Sequence, residues 1–170
     1  MTASGITDRP VHVVRPSALG MPEEGCTGFT MLRYAVPQWC RERGYDGAIY
    51  LDVDMLVLGD VAELEQYLVP GMWATLKDGS TEVSVISADV SMPEYRDLRR
   101  AHRHHLDPVW SPTIPLEWNC EDCYPEGAKL VHFTNLDTQP WWYDHPDPDC
   151  VALYESYCRR HGAEPYPRSN

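Results

Sequence analysis

The segment YLDVDMLVLGD, Tyr50 to Asp60, sets three carboxylates into an apolar run. Asp52 and Asp54 stand two residues apart at the end of what reads as a buried strand. In a regular strand Ile49, Leu51 and Val53 point to one face, and Tyr50, Asp52 and Asp54 to the other. Ligands of open α/β sheets collect outside the carboxyl ends of strands. Two carboxylates there offer hard oxygen donors to a divalent cation such as Mg²⁺ or Mn²⁺, which in turn bridges to phosphates. A structural alternative uses the same residue type, because short acidic side chains cap turns and helix N-termini. Asp60 fits that alternative, since it directly precedes VAELEQYL. For the pair Asp52 and Asp54 both readings stand on the residues alone.

Other groups able to do chemistry are scattered. His132 lies in the β-rich run KLVHF and serves either as a satisfied core histidine or as a metal ligand. Cys120 and Cys123 have the spacing of half a zinc site, but Cys150 and Cys158 are poorly spaced to supply the other half. A thioredoxin-like role for that pair lacks the expected βαβ context. The run His102, Arg103, His104, His105 offers imidazoles on a polar stretch, where such runs are usually solvated.

The elements that must position these groups alternate along the chain. PVHVV, Pro10 to Val14, reads as a strand, and residues 15–28 as a Pro- and Gly-rich loop. From Phe29 to Gly44 the apolar residues Met31, Leu32, Ala35, Val36 and Trp39 have helical spacing. Pro37 should start or bend a turn there, and Gly44 suits a C-cap. AIYLDVDMLVLGD is a buried strand and its exit, followed by a short helix over Val61 to Leu68. Gly71 to Ile86 reads as strands around a turn at Asp78-Gly79. PEYRDLRRAHRHH has weak helical character, and residues 107–128 read as loop. KLVHF is again a strand, TQPWWYDHPDPD an aromatic- and Pro-rich loop, and Val151 to His161 a terminal helix. Strands alternating with helices predict an α/β domain with a mostly parallel sheet and flanking helices.

The bulk properties bound the function. With 170 residues the chain fits one domain, 1–170, and its 43% hydrophobic content is enough for a core. A net charge of −12 argues against a nucleic-acid binder, which gains affinity from a basic face. No apolar run reaches the roughly 18 residues that span a membrane. MTASGITDRP lacks the basic and apolar regions of a signal peptide, so a cytoplasmic location with reduced thiols is expected.

The segment YLDVDMLVLGDVAEL, Tyr50 to Leu64, closely resembles the D-x-D segment of nucleotide-sugar glycosyltransferases with the GT-A fold, in particular glycosyltransferase family 8, the glycogenin-like and bacterial lipopolysaccharide-type enzymes. AKLVHFTNLDTQPWW, Ala128 to Trp142, resembles the C-terminal segment of that family, His-Phe/Tyr-x-Gly-x-x-Lys-Pro-Trp. The resemblance implies a GT-A fold of the Rossmann-like type and transfer of a sugar from a nucleotide-diphosphate donor, a UDP-sugar, with retention at the anomeric carbon. It implies Asp52, Asp54 and His132 as ligands of Mn²⁺ or Mg²⁺; imidazole favours Mn²⁺. Gln139 stands where the family has a diphosphate-binding Lys. It can donate a hydrogen bond but carries no charge, so phosphate binding would rest more on the metal and on arginine.

FTMLRYAVP resembles the helix that precedes the D-x-D strand, whose basic residue faces the nucleotide; here that residue is Arg33. PLEWNCED resembles the segment ahead of the histidine strand and makes Asn119 and Asp122 candidates for sugar or acceptor contacts. Ser84, in EVSVIS, falls where the family approaches the sugar. Trp141, in the aromatic loop with Trp142 and Tyr143, is a candidate to stack on sugar or acceptor, or else a packed lid. No nucleophile is identified, and the acceptor is open: glycan, protein or small molecule. The strand PVHVV resembles the family's second strand rather than its first, so the domain is expected to be short by about one βα unit, some 30 residues, at its N-terminus. A start placed too late, a natural minimal homologue, or completion by another chain would each account for this. The competing class is a truncated, non-catalytic glycosyltransferase-like module that binds a partner.

Overall fold

A computed structural model describes residues 8–19, 31–95, 110–142 and 145–165. The protein is mixed α/β, and its chain forms two compact units. The first comprises Met1–Leu51 and Val61–Pro115, the second Asp52–Asp60 and Leu116–Asn170.

The first unit is built on a four-stranded sheet. Its strands are β1 (Gly47–Leu51), β3 (Trp73–Leu76), β4 (Val83–Ser87) and β5 (Trp110–Ile114), in the order β1-β4-β3-β5. β3 and β4, the inner strands, are buried along their whole length, including Thr75, Ser84 and Ser87. β5 is an edge, which is why it tolerates Pro112, a residue with no N–H for the ladder. Asp78 and Gly79 make the turn between β3 and β4. The Asp78 carboxylate accepts from the Ser80 amide at 2.9 Å, and Gly79 takes the left-handed conformation at φ 86°. At Gly47 a side chain would meet the Ile86 carbonyl at 2.5 Å, so only glycine lets β1 lie this close to β4.

Helix α1 (Leu32–Arg43) buries Leu32, Tyr34, Ala35 and Cys40, its inner face joining Leu19, Trp73, Ile86 and Val90 in one core. The helix runs through Pro37. Gly44 ends it as expected, at φ 73°, with its amide on the Arg41 carbonyl. Arg41 and Arg43 lie in the last turn, where cations complement the helix dipole. Val61–Tyr67 is a 3₁₀ turn.

The second unit holds β2 (Met55–Val57), β6 (Cys120–Glu121) and β7 (Leu130–His132), in the order β2-β7-β6. A 3₁₀ turn, Leu116–Trp118, precedes β6, and helix α2 (Pro148–Arg160) closes the chain. Trp118, Leu130, Phe133 and Tyr154 are buried there. α2 starts three residues before the expected Val151, because Asp147 caps it by accepting from the Asp149 amide and Pro148 takes the first position.

Three expectations need correction. The sheet is not mostly parallel: β1/β4, β3/β4 and β2/β7 are antiparallel, and β3/β5 and β6/β7 are parallel. Between β3 and β4 the tight turn at Asp78-Gly79 folds the chain straight back, which makes that pair antiparallel. Pro10–Val14 forms no strand; Val11 and Val13 are exposed, because alternation without a partner strand does not make a ladder. Residues 107–128, read as loop, contain β5 and β6. The run His102–His105, Cys26 and Tyr143 lie outside the described residues. Among the described residues, no helix is long and apolar enough to cross a membrane.

Candidate functional site

The aspartate pair does not sit on a regular strand. β1 ends at Leu51, the chain turns through residues 52–54, and β2 begins at Met55. Val53, expected to share a face with Ile49 and Leu51, is 83% exposed while those two are half-buried. Alternation therefore does not set Asp52 and Asp54 on one face.

Pairing of β2 with β7 does place Asp54. The register sets Met55 opposite His132, and the Phe133 amide donates to the Asp54 carbonyl at 3.0 Å. This brings Asp54 Oδ1 to 3.1 Å from His132 Nε2. The His132 ring is buried, while the Asp54 side chain keeps 26% of its surface in solvent. On the other side of the ring, Nδ1 lies 2.9 Å from Asn119 Oδ1. Asn119 Nδ2 donates to Glu121 Oε1 at 3.2 Å. Glu121, on β6, is the parallel-register partner of His132. Four side chains thus form a line: Glu121, Asn119, His132, Asp54.

The line fixes a protonation pattern. A carboxylate only accepts, so the Asn119 amide nitrogen faces Glu121 and its oxygen faces His132. An amide oxygen also only accepts, so His132 Nδ1 carries a hydrogen. Nε2 then faces a carboxylate oxygen. Two lone pairs at 3.1 Å repel, so the gap takes a proton, giving an imidazolium–carboxylate pair, or a cation that both atoms share. Two atoms bound at right angles, each about 2.1 Å from a small divalent cation, stand about 3 Å apart. The Asp54–His132 pair fits such an ion by distance and donor type, and its outer hydrogen bond through Nδ1 is the usual support of a ligating histidine. Among the described residues, no group of three or more His, Cys, Asp or Glu side chains is gathered for a metal. Asp52 is half-buried in the turn; a third protein ligand would come from there only by reorientation of its side chain.

The remaining candidates have local partners. Arg33, in the first unit, is a buried residue of α1. Its guanidinium donates to Thr81 Oγ1 at 2.5 Å, lies 3.9 Å from the Glu82 carboxylate and covers the Tyr50 ring at 5.3 Å. Ser84 is fully buried on β4 and donates to the Thr81 carbonyl at 2.9 Å. In the second unit Gln139 is buried, and its amide donates to the Phe133 carbonyl at 2.9 Å, which braces the loop after β7. The Asp122 carboxylate accepts from Thr134 Oγ1 at 2.5 Å and from the Asn135 amide at 3.3 Å. Trp141 packs edge-on against Phe133 and tilted against Tyr154, as a packed lid would, whereas Trp142 is exposed. The described cysteines, Cys40, Cys120, Cys123, Cys150 and Cys158, are all free thiols.

Sequence reasoning placed Asn119 toward an acceptor and passed over Glu121. Asn119 lies just before β6 and Glu121 on it, so their proximity followed from their nearness in NCED. Which strand they would meet was not readable without the register. Comparisons with protein-family models, curated proteins and solved structures found no match to this chain.

Proposed function

We propose that the protein is a metal-dependent glycosyltransferase of GT-A type that transfers a hexose from a UDP-sugar to an acceptor still to be found. The single observation that carries this reading is the Asp54–His132 pair. The two residues are far apart in the chain, they come from the two segments that resemble the family, and they meet at 3.1 Å. A Mn²⁺ or Mg²⁺ ion, when bound, supplies neutralising charge for the leaving diphosphate. Asp54 and His132 hold that ion, and Asp52 is its third protein ligand by resemblance. Gln139 braces the loop next to His132 through the Phe133 carbonyl. Retention at the anomeric carbon also rests on the resemblance.

A non-catalytic module with the same frame is the second reading. Arg33, Gln139 and Ser84 favour it, because each bonds within the protein instead of facing an open site. Thermal unfolding of wild type and Asp54→Ala with Mn²⁺, UDP and both together tests the proposal. Ligand at about 100 times its Kd adds about 2.7 kcal/mol to stability. Wild type should gain this with both ligands present, and the variant should gain nothing. No gain with UDP, GDP or another nucleoside diphosphate would sink the transferase reading. A gain without Mn²⁺-dependent hydrolysis of any UDP-sugar would select the binding module.

A further inference from the structure

We infer that Asn119, itself held by Glu121, is a positioning residue that fixes the tautomer of His132 and so turns the Nε2 lone pair toward the metal. This rests on the metal reading above and adds to it a residue that acts on the ion only through the His132 ring. A neutral imidazole has one N–H and one lone pair, and only the lone pair binds a metal. Left alone, the ring exchanges between two forms, and the form with hydrogen on Nε2 cannot ligate through that atom. Asn119 Oδ1, at 2.9 Å, accepts only, so it selects the form with hydrogen on Nδ1.

The selection is well anchored. Asn119 and His132 are both buried, so water does not readily replace the bond. The Asn119 amide donates to the Leu116 carbonyl at 2.9 Å, which fixes its backbone on the turn carrying buried Trp118. Glu121, itself exposed, favours this orientation of the side-chain amide, because a flipped Asn119 would present its oxygen to the carboxylate and its NH₂ to His132 Nδ1. The parallel pairing of β6 with β7 sets Glu121 beside His132, so the order Glu121, Asn119, His132 is a product of strand register. Asn119 touches neither substrate nor metal in this account, and its action passes through His132.

The experiment uses the full chain as wild type, as Asn119→Ala and as the double variant Asn119→Asp with Glu121→Gln. Binding of Mn²⁺ alone is followed by electron paramagnetic resonance of the free ion, with Tm of each metal-free protein beside it. Loss of such an outer partner costs about tenfold to a hundredfold in metal affinity. Asn119→Ala should weaken Mn²⁺ by that factor at nearly unchanged Tm. The double variant keeps the acceptor oxygen toward His132 and gives the second oxygen an amide donor in place of the Glu121 carboxylate, so it should recover most of the affinity. Equal affinity of wild type and Asn119→Ala overturns the inference. So does an equal loss in both variants with a matching fall in Tm, which is the mark of a purely structural residue. If wild type binds no Mn²⁺, the metal reading itself has failed. That outcome takes this inference down with it, because the inference concerns the lone pair that His132 offers to the metal.

Discussion

Arg33 and His132 are both buried polar residues beside a carboxylate, yet their surroundings differ. Around Arg33 the partners are not aimed at an open position: a hydroxyl, a carboxylate and an aromatic face surround one guanidinium. Around His132 the geometry is directional. One ring nitrogen is matched to a neutral acceptor, and the other is aimed at a carboxylate that still reaches solvent. A cluster of the first kind contributes to stability, whereas a directed one leaves a position for a proton or an ion. Burial of a charged or polar residue therefore does not identify a site; the direction of its donors and acceptors does.

Three changes test that contrast. The largest expected effect is at Arg33. Removing one partner of a buried ion pair costs about 3–5 kcal/mol, and Glu82, with a side chain 30% exposed, sets the value near the lower end. Arg33→Ala should lose about 3 kcal/mol in urea unfolding while its response to Mn²⁺ stays that of wild type. An intact fold with a lost nucleotide response would instead make Arg33 a ligand residue and remove the contrast.

Gln139→Ala should have a middle effect. It strips the Phe133 carbonyl of its side-chain donor, which costs about 1–2 kcal/mol for a buried acceptor. Chemical denaturation reads that loss. A change in UDP response at constant stability would return Gln139 to the phosphate site.

The smallest effect near neutral pH concerns thiols, one in each unit. Burial pushes Cys40 up to about 11, and burial with the nearby Asp147 carboxylate pushes Cys150 up to about 12. A raised value stabilises the fold below the ordinary thiol range, and this stability is lost as pH rises through the folded value. Tm should hold up to about pH 9 and fall between about 9 and 11. Cys40→Ala should flatten the first part of that fall; an unchanged profile would show that the thiol is not shielded.

Much of the local structure was readable from residue types. The helix before Gly44, the Asp78-Gly79 turn and a strand within KLVHF all appear, and the C-terminal helix forms but starts three residues early. The misreadings share a cause. PVHVV alternates but has no partner strand, and residues 107–128 read as loop yet hold β5, whose Pro112 sits on an edge. Whether a strand forms depends on a neighbour that local pattern does not contain. The site was legible in the same uneven way: Asp54 and His132 were named from their segments, whereas the alternation argument for Asp52 failed at the turn after Leu51, and Glu121 went unnoticed.

The sequence by itself determined the composition of a folded chain, its turns and helix ends, and the residue types able to hold a divalent ion. These depend on local chemistry: a glycine permits a positive φ, an aspartate caps, and a carboxylate and an imidazole donate lone pairs. Strand direction, the pairing of β2 with β7, and the line from Glu121 to Asp54 were decided only by the tertiary structure. They arise from contacts between segments many residues apart, and a register shift of one residue would turn His132 to the opposite face of its sheet.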